Sequence, residues 1–431
     1  MPVDHLELAR RLRAAREAGG FTQEEVAVRL GVSRPTVVQI EQGNRAVNSL
    51  ELDRLAHFYG RDLRELLADE FRAEDTLVAL FRRQSIAADE VAEDTGAEET
   101  AETLEALRRC LNLGREISNL EQHLEIDRDL AALPRYSARA SGSKWEAIQQ
   151  GERVAAEERR RLGLGLAPLP NVAELLETQG VRTAQAELPA DVSGLTLMDP
   201  GVGLFVVANR DHVFVRRRFS FAHEYCHVLL DREKRGTISR TGDRDSLIEV
   251  RANAFAAAFL MPKEGVEEFL GGLAKGLPSR SRTEVFDGEG AVSVLSRPEP
   301  GSQKIQLHDV ALLAHSFGVS RQSALYRLKN LKLITEPEFL KLRTLEESGF
   351  GKNLTDVLAL TDPDGNGARD EFRHRFLALA FEALRRGKIS RGKLHELAGL
   401  VGVSPGQVDT TLSEVGIEEP DGDTAVLPGA D

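Results

Sequence analysis

His223, Glu224 and His227 are the residues of this chain best suited to chemistry. They form His-Glu-x-x-His within Phe219-Ser-Phe-Ala-His-Glu-Tyr-Cys-His-Val-Leu-Leu230. On a helix, positions i and i+4 project from one face about one turn apart. Two imidazoles placed that way can reach a single metal ion. Glu224, beside the first imidazole, can reach a water on the same ion without taking a ligand position. Two His ligands and a carboxylate base are what zinc-dependent peptide hydrolysis requires. Phe219, Phe221, Ala222, Val228, Leu229 and Leu230 would bury the back of such a helix. The pentapeptide alone also fits a surface His pair on an amphipathic helix, so a third ligand has to decide.

A third ligand is available in Ile248-Glu-Val-Arg-Ala-Asn-Ala-Phe-Ala-Ala-Ala-Phe-Leu-Met-Pro262. This segment reads as a buried helix, with Glu249 and Asn253 four apart near its start. A carboxylate entering an otherwise apolar helix needs a partner, and a metal is a suitable one. Two His and a Glu leave one open position for water on zinc. The plain alternative is a first-turn Glu interacting with the helix dipole. His212 is expected to be a surface or packing residue.

These helices need a scaffold. Before them, a charged helix is predicted over 145–162 and a shorter one over 171–177. Short strands follow at 181–185, 192–198 and 202–207. The run Arg216–Arg218 leads into the first metal-bearing helix. It is a candidate for stabilising an oxyanion, or a solvated or structural run. The chain has 431 residues, 41% hydrophobic and 29% charged, a soluble globular composition with room for two to four domains. No apolar run approaches membrane-spanning length, and Met-Pro-Val-Asp-His carries no apolar signal segment, so a cytoplasmic location is expected. Cys110 and Cys226 are the only cysteines, too few for a disulfide framework or a multi-Cys zinc site. The net charge of -13 excludes a basic nucleic-acid coat but not a DNA-reading module. Between Arg83 and Arg108 there is acid and no Lys or Arg, as in a solvated linker or helix face.

The N-terminal stretch carries a second constellation. A helix is predicted over 6–17, stopped by Gly19-Gly20. Thr22 and Glu25 form a capping box for a helix over 23–30. Gly31-Val32-Ser33 then turns the chain into a third helix with Pro35 in its first turn. Two short helices follow, at 49–59 and 62–67. This helix-turn-helix, over residues 6–67, resembles the XRE family of five-helix, phage-repressor-like DNA-binding domains. The resemblance implies that Gln23 touches phosphate and that Ser33, Arg34, Thr36 and Gln39 face the groove of a double-stranded operator. Asn44 and Arg45 would then meet the DNA backbone. Arg34 and Gln39 suit guanine and adenine edges. Arginines and acids nearly balance here, so a protein-interaction module is the alternative.

Residues 145–335 resemble the ImmA/IrrE family of zinc metallopeptidases. The resemblance is carried by Asp191-Val-Ser-Gly194, Asn209, Arg216-Arg-Arg-Phe-Ser-Phe-Ala-His-Glu-x-x-His227, Glu249-x-x-Ala-Asn253, Phe255-Ala-Ala and Leu260-Met-Pro262. It implies that His223, His227 and Glu249 bind Zn2+, with Glu224 as the base. Asn253 would support a His ligand from behind. Cys226 departs from the Gly more usual there. It would narrow the space beside the metal or make it oxidation-sensitive, unless it is simply a small buried residue.

The expected architecture is multidomain and mainly α. It comprises a helix-turn-helix domain (1–68), a helical, acidic connector (69–143), an α+β zincin-like domain with a small sheet (144–335), a helical C-terminal region (336–417) and a disordered tail (418–431). Residues 104–133 are read as a long helix, either a dimerising coil that would make a homodimer or a solvated connector. Gly-Val-Ser turns recur at 318–320 and 402–404, where structural packing is at least as good a reading as DNA contact. The resulting expectation is a DNA-binding regulator with a zinc endopeptidase domain, cleaving a helix-turn-helix repressor or itself in a stress or phage response. The alternative is a transcription factor whose peptidase-like domain senses a ligand or metal.

Overall fold

The computed structural model describes residues 4–18, 21–59, 63–67, 96–128, 133–137, 140–199, 202–233, 236–243, 245–275, 281–286, 291–296, 303–358, 360 and 367–415. The Gly19-Gly20 stop, the acidic stretch before 96 and the tail lie outside them.

Five helices open the chain: α1 (His5–Ala18), α2 (Gln23–Leu30), α3 (Arg34–Glu41), α4 (Ser49–Tyr59) and α5 (Leu63–Leu67). The predicted capping box is present. Thr22 Oγ1 accepts from the Glu25 N–H, and the Glu25 carboxylate accepts from the Thr22 N–H. Gly31 ends α2 at φ 69°, a left-handed conformation that costs glycine little. Ser33 begins α3 but makes no side-chain capping bond. Its hydroxyl instead shares a 2.9 Å hydrogen bond with Thr36. Leu12, Val26, Leu30, Val37, Ile40, Leu55 and Tyr59 form the core of this unit.

The central sheet has the order β1-β3-β2-β4, formed by β1 (Arg182–Ala186), β2 (Val192–Asp199), β3 (Gly203–Asn209) and β4 (Gly236–Arg240). β1 and β3 are parallel, and the other pairs are antiparallel. Both faces are covered. Leu204, Val206 and Ala208 share a core with α9 (Phe214–Leu230) and α10 (Leu247–Leu260). Phe205 and Val207 share another with α6 (Gly96–His123), α16 (Gly367–Arg385), α17 (Arg391–Leu400) and α18 (Pro405–Val415). This is why β3 reads as an almost unbroken apolar run.

The long helix expected over 104–133 is present in α6, but it is not a solvated connector. Leu107, Leu111, Ile117 and Leu120 of α6 are buried in the second core, so the helix is neither solvated nor available to a coil along that side. The approach is close. A Cβ added at Gly114 would come within 2.6 Å of Val202.

α7 (Lys144–Arg161) and α8 (Val172–Thr178) precede the sheet, and α11 (Lys263–Gly272) follows α10. The polar stretch after residue 275 contains a hairpin of β5 (Ser281–Phe286) and β6 (Ala291–Ser296). Helices α12 (Leu307–Phe317), α13 (Arg321–Asn330), α14 (Glu336–Glu347) and α15 (Phe350–Val357) complete the order. The second Gly-Val-Ser turn joins α12 to α13 and is packed on α9. The Arg218 guanidinium donates to Gly318 O at 3.0 Å, Leu169 O at 2.5 Å and Pro170 O at 2.6 Å. That copy serves packing.

α7 and α10 cross with almost no space between backbones. A Cβ on Gly151 would sit 2.3 Å from Arg251 O and 2.8 Å from Phe255 N. Gly151→Ala should therefore destabilise the protein by about 1–3 kcal/mol through overpacking. Gly271→Ala, whose Cβ meets nothing within 4 Å, should leave stability unchanged or raise it. Denaturant melts of the two variants check this.

Candidate functional site

α9 begins at Phe214, a turn earlier than the motif demands, and takes in the basic run. Arg217 and Arg218 are buried. Arg217 Nη1 donates to His212 O at 2.6 Å, and Arg218 binds the carbonyls named above. Both therefore hold the ends of loops and helices rather than facing an open cleft. His212 is half-buried, and burial lowers its pKa to about 4. It does not join the metal-ligating group.

Next along α9, His223, Glu224 and His227 lie in the interior, with Glu224 and His227 fully buried. α10 brings Glu249 to them. Ser246 caps α10 by accepting from the Glu249 N–H, which places Glu249 at the start of the helix with its side chain turned inward. His223 Nε2 lies 3.0 Å from Glu249 Oε2 and 3.3 Å from His227 Nε2, and His227 Nε2 lies 3.5 Å from Glu249 Oε1. Ligand atoms arranged tetrahedrally about zinc at ~2.0–2.1 Å stand about 3.3 Å apart. The three side chains fit that ion. Among the described residues, no other group of three or more His, Cys, Asp or Glu converges so closely.

The far nitrogens of both rings are engaged. His223 Nδ1 meets Asn253 Oδ1 at 3.0 Å, and His227 Nδ1 meets Asp231 Oδ2 at 2.9 Å. An N–H donated from each Nδ1 leaves each Nε2 with a lone pair facing the centre. Asn253 was singled out from its sequence; Asp231 was missed. Its signal was present, since it follows His227 by one helical turn.

Glu224 projects toward the sheet. Thr196 Oγ1 of β2 donates to its Oε2 at 2.7 Å. Its buried Oε1 makes no hydrogen bond of normal geometry, although the Ser239 hydroxyl, also without one, is near enough to favour the charged carboxylate. A Cβ on Gly194 would come within 3.0 Å of Glu224 Oε1, so glycine at 194 leaves room beside it. Cys226, on the same helix, is buried in the apolar core, and burial pushes its thiol well above the usual range. That agrees with a small packing residue, not a reactive one.

Burial works against charge throughout the site. It raises the Glu224 carboxyl, with His227 and His223 opposing it. For Glu249, burial is outweighed by hydrogen bonds from His223 and His227, which hold its carboxyl well below the usual range. For His227, burial is outweighed by the bonds to Asp231 and Glu249, which raise the imidazole. Without an ion, a proton supplies the positive charge that Glu249 and Asp231 demand, so protons compete with metal here.

On the N-terminal unit, Ser33, Arg34, Gln39 and Asn44 are exposed and Thr36 is half-buried. Two of the residues expected at phosphate also make bonds within the domain. Gln23 Nε2 donates to Glu41 Oε2 at 2.9 Å, and Glu41 also pairs with Arg16 at 2.5 Å. Arg45 pairs with Glu51 at 2.7 Å. Asn44 Nδ2 donates to Gln42 Oε1 at 3.2 Å.

The geometry leads to a direct expectation. The purified protein should carry one zinc per chain by elemental analysis, and a His223→Ala, Glu249→Ala double variant should lose it. Full occupancy in that variant would rule out these ligands.

Residues 7–69 match the family model of a helix-turn-helix domain, and residues 176–276 match that of an IrrE N-terminal-like domain. No curated protein matches the chain. The second match spans the sheet, α9 and α10, and so every residue of the centre. No helix among the described residues is long and apolar enough to cross a membrane. The chain thus joins an XRE-like helix-turn-helix domain to an IrrE-like, metallopeptidase-like domain.

Proposed function

We propose that the protein is a cytoplasmic transcriptional regulator that binds a DNA operator through its N-terminal domain and hydrolyses a peptide bond at the centre between α9 and α10. The observation that supports this is the convergence of His223, His227 and Glu249 with a carboxylate, Glu224, on the adjoining position of the same helix. His223, His227 and Glu249 would hold the ion. When bound, zinc supplies Lewis-acid chemistry, polarising a carbonyl and acidifying water. Glu224 takes up a proton and returns it to the leaving amine. Thr196 holds one oxygen of that carboxylate in place. Asn253 and Asp231 keep the ligating nitrogens directed inward. The resemblance to the ImmA/IrrE family supports a restricted protein substrate, a helix-turn-helix repressor or the chain itself, cleaved under stress.

A second reading draws on one observation. Glu224 is fully buried, as suits a sealed pocket that senses a metal or ligand without proteolysis. Glu224→Gln separates the two. Gln is near-isosteric and is not a ligand, so zinc content should be unchanged. Hydrolysis should fall by ~10²–10⁴-fold, as on loss of a general base. Intact-mass spectrometry of zinc-loaded protein, incubated with its target repressor and alone, reads the cleavage. In a reporter strain the Gln variant should hold its promoter off under inducing stress. Normal induction with cleavage absent would leave the sensing regulator standing.

The DNA reading has its own check. Arg34→Ala and Gln39→Ala should each weaken specific operator binding by about 1–3 kcal/mol, the cost of a lost base contact. Unchanged affinity in both, measured by fluorescence anisotropy at fixed salt, would move the DNA contact to another surface.

A further inference from the structure

The two imidazoles facing the centre are held by partners of different charge. His223 Nδ1 meets a neutral amide oxygen, that of Asn253. His227 Nδ1 meets a carboxylate, that of Asp231, at 2.9 Å. Asp231 follows the last residue of α9 and is anchored from the other metal-bearing helix. Arg251 Nη2 of α10 donates to the same Asp231 Oδ2 at 2.6 Å. Arg251 Nη1 reaches Gln150 Oε1 of α7 at 3.4 Å. His227, Asp231 and Arg251 are 0%, 7% and 5% exposed. A guanidinium, a carboxylate and an imidazole thus run in a buried line ending at the ligating nitrogen.

An ion pair at this depth is a poor device for stability alone. Removing two charges from water costs about as much as the pair returns, and apolar residues of the same size would serve the fold as well. The pair does supply an anionic acceptor at a fixed place. It directs the His227 ring, keeps its proton on Nδ1 and makes Nε2 a stronger donor. Arg251 also stands two residues after Glu249 on α10, so the contact that fixes Asp231 ties the helix of the third ligand to the helix of the first two.

We propose that Asp231 and Arg251 are positioning residues of the metal centre, which make His227 its anchoring ligand. The inference rests on the metal reading given above. The full chain and two variants, Asp231→Asn and Asp231→Asn/Arg251→Met, are tested for Zn2+ affinity by chelator competition. Co2+ absorption in the visible and the melting of the metal-free proteins are recorded alongside. Asn keeps the shape and can still accept from Nδ1 but carries no charge. The double variant leaves no guanidinium stranded, so it carries the test if the single one does not fold. Zinc should bind about 10–100-fold more weakly in both, with shifted Co2+ bands, while the metal-free double variant melts close to wild type. Unchanged affinity and an unchanged Co2+ spectrum, or a loss confined to melting temperature, would assign the pair a structural role and overturn the inference. A wild-type chain that takes up neither ion overturns the metal reading, and this inference with it.

Discussion

The interior of this protein has to accommodate charge, and the packing of α9 against α10 is how it does so. Four carboxylates and two imidazoles lie where solvent hardly reaches: Glu224, Asp231 and Glu249 with His223 and His227, and Glu158 apart from them beside Tyr225. An isolated buried charge is too costly to keep. Each is therefore matched. Glu249 faces the two His, Asp231 faces His227 and Arg251, and Glu158 accepts from Tyr225 and Arg161. Of these four carboxylates, Glu224 is the one with an oxygen that makes no hydrogen bond of normal geometry. At the centre that oxygen lies on the helix that carries His223 and His227, where a bound ion and its water would give it a partner.

That matching depends on close backbones. Gly151 lets α7 lie on α10, which sets α10 against α9 and so sets Glu249 against His223. The rings of Tyr225, Phe255 and Phe259 pack together on these two helices, with Phe255 and Phe259 stacked at 5.3 Å. Side-chain chemistry at the centre and shape at its back are settled by the same two helices.

What was legible in the sequence was local. The capping box at Thr22 and Glu25, the turn at Gly31 and the His-Glu-x-x-His spacing each depend on residues within a turn or two. Asn253 was legible because it repeats the helical period from Glu249. The partners that matter over long range were not. Arg251 and Asp231 are 20 residues apart and look like a helix-surface charge and a helix-ending Asp. Arg217 and Arg218 look like a solvated basic run, yet they are buried, with their guanidinium groups donating to backbone carbonyls. Gln23 and Arg45 suit phosphate by type, and their bonds to Glu41 and Glu51 could not be read from that type. In each case the deciding partner lies on another element, and periodicity carries no information about it.

The same holds for the connector, and there the consequence reaches the centre. α6 has the composition of a charged, exposed helix, and only its contacts make it part of the sheet's second face. β2 lies between the two layers. Its Leu195 and Leu197 belong to the core shared with α6 and the C-terminal helices, while Thr196 between them turns the other way and holds Glu224. Alternation along one strand thus sets the general-base candidate on one face and the helix arriving from the DNA-binding half on the other. Close-packed interiors do not deform smoothly. Any rearrangement of α6 must either leave β2 where it is or move Thr196, and with it the carboxylate of Glu224 that Thr196 holds.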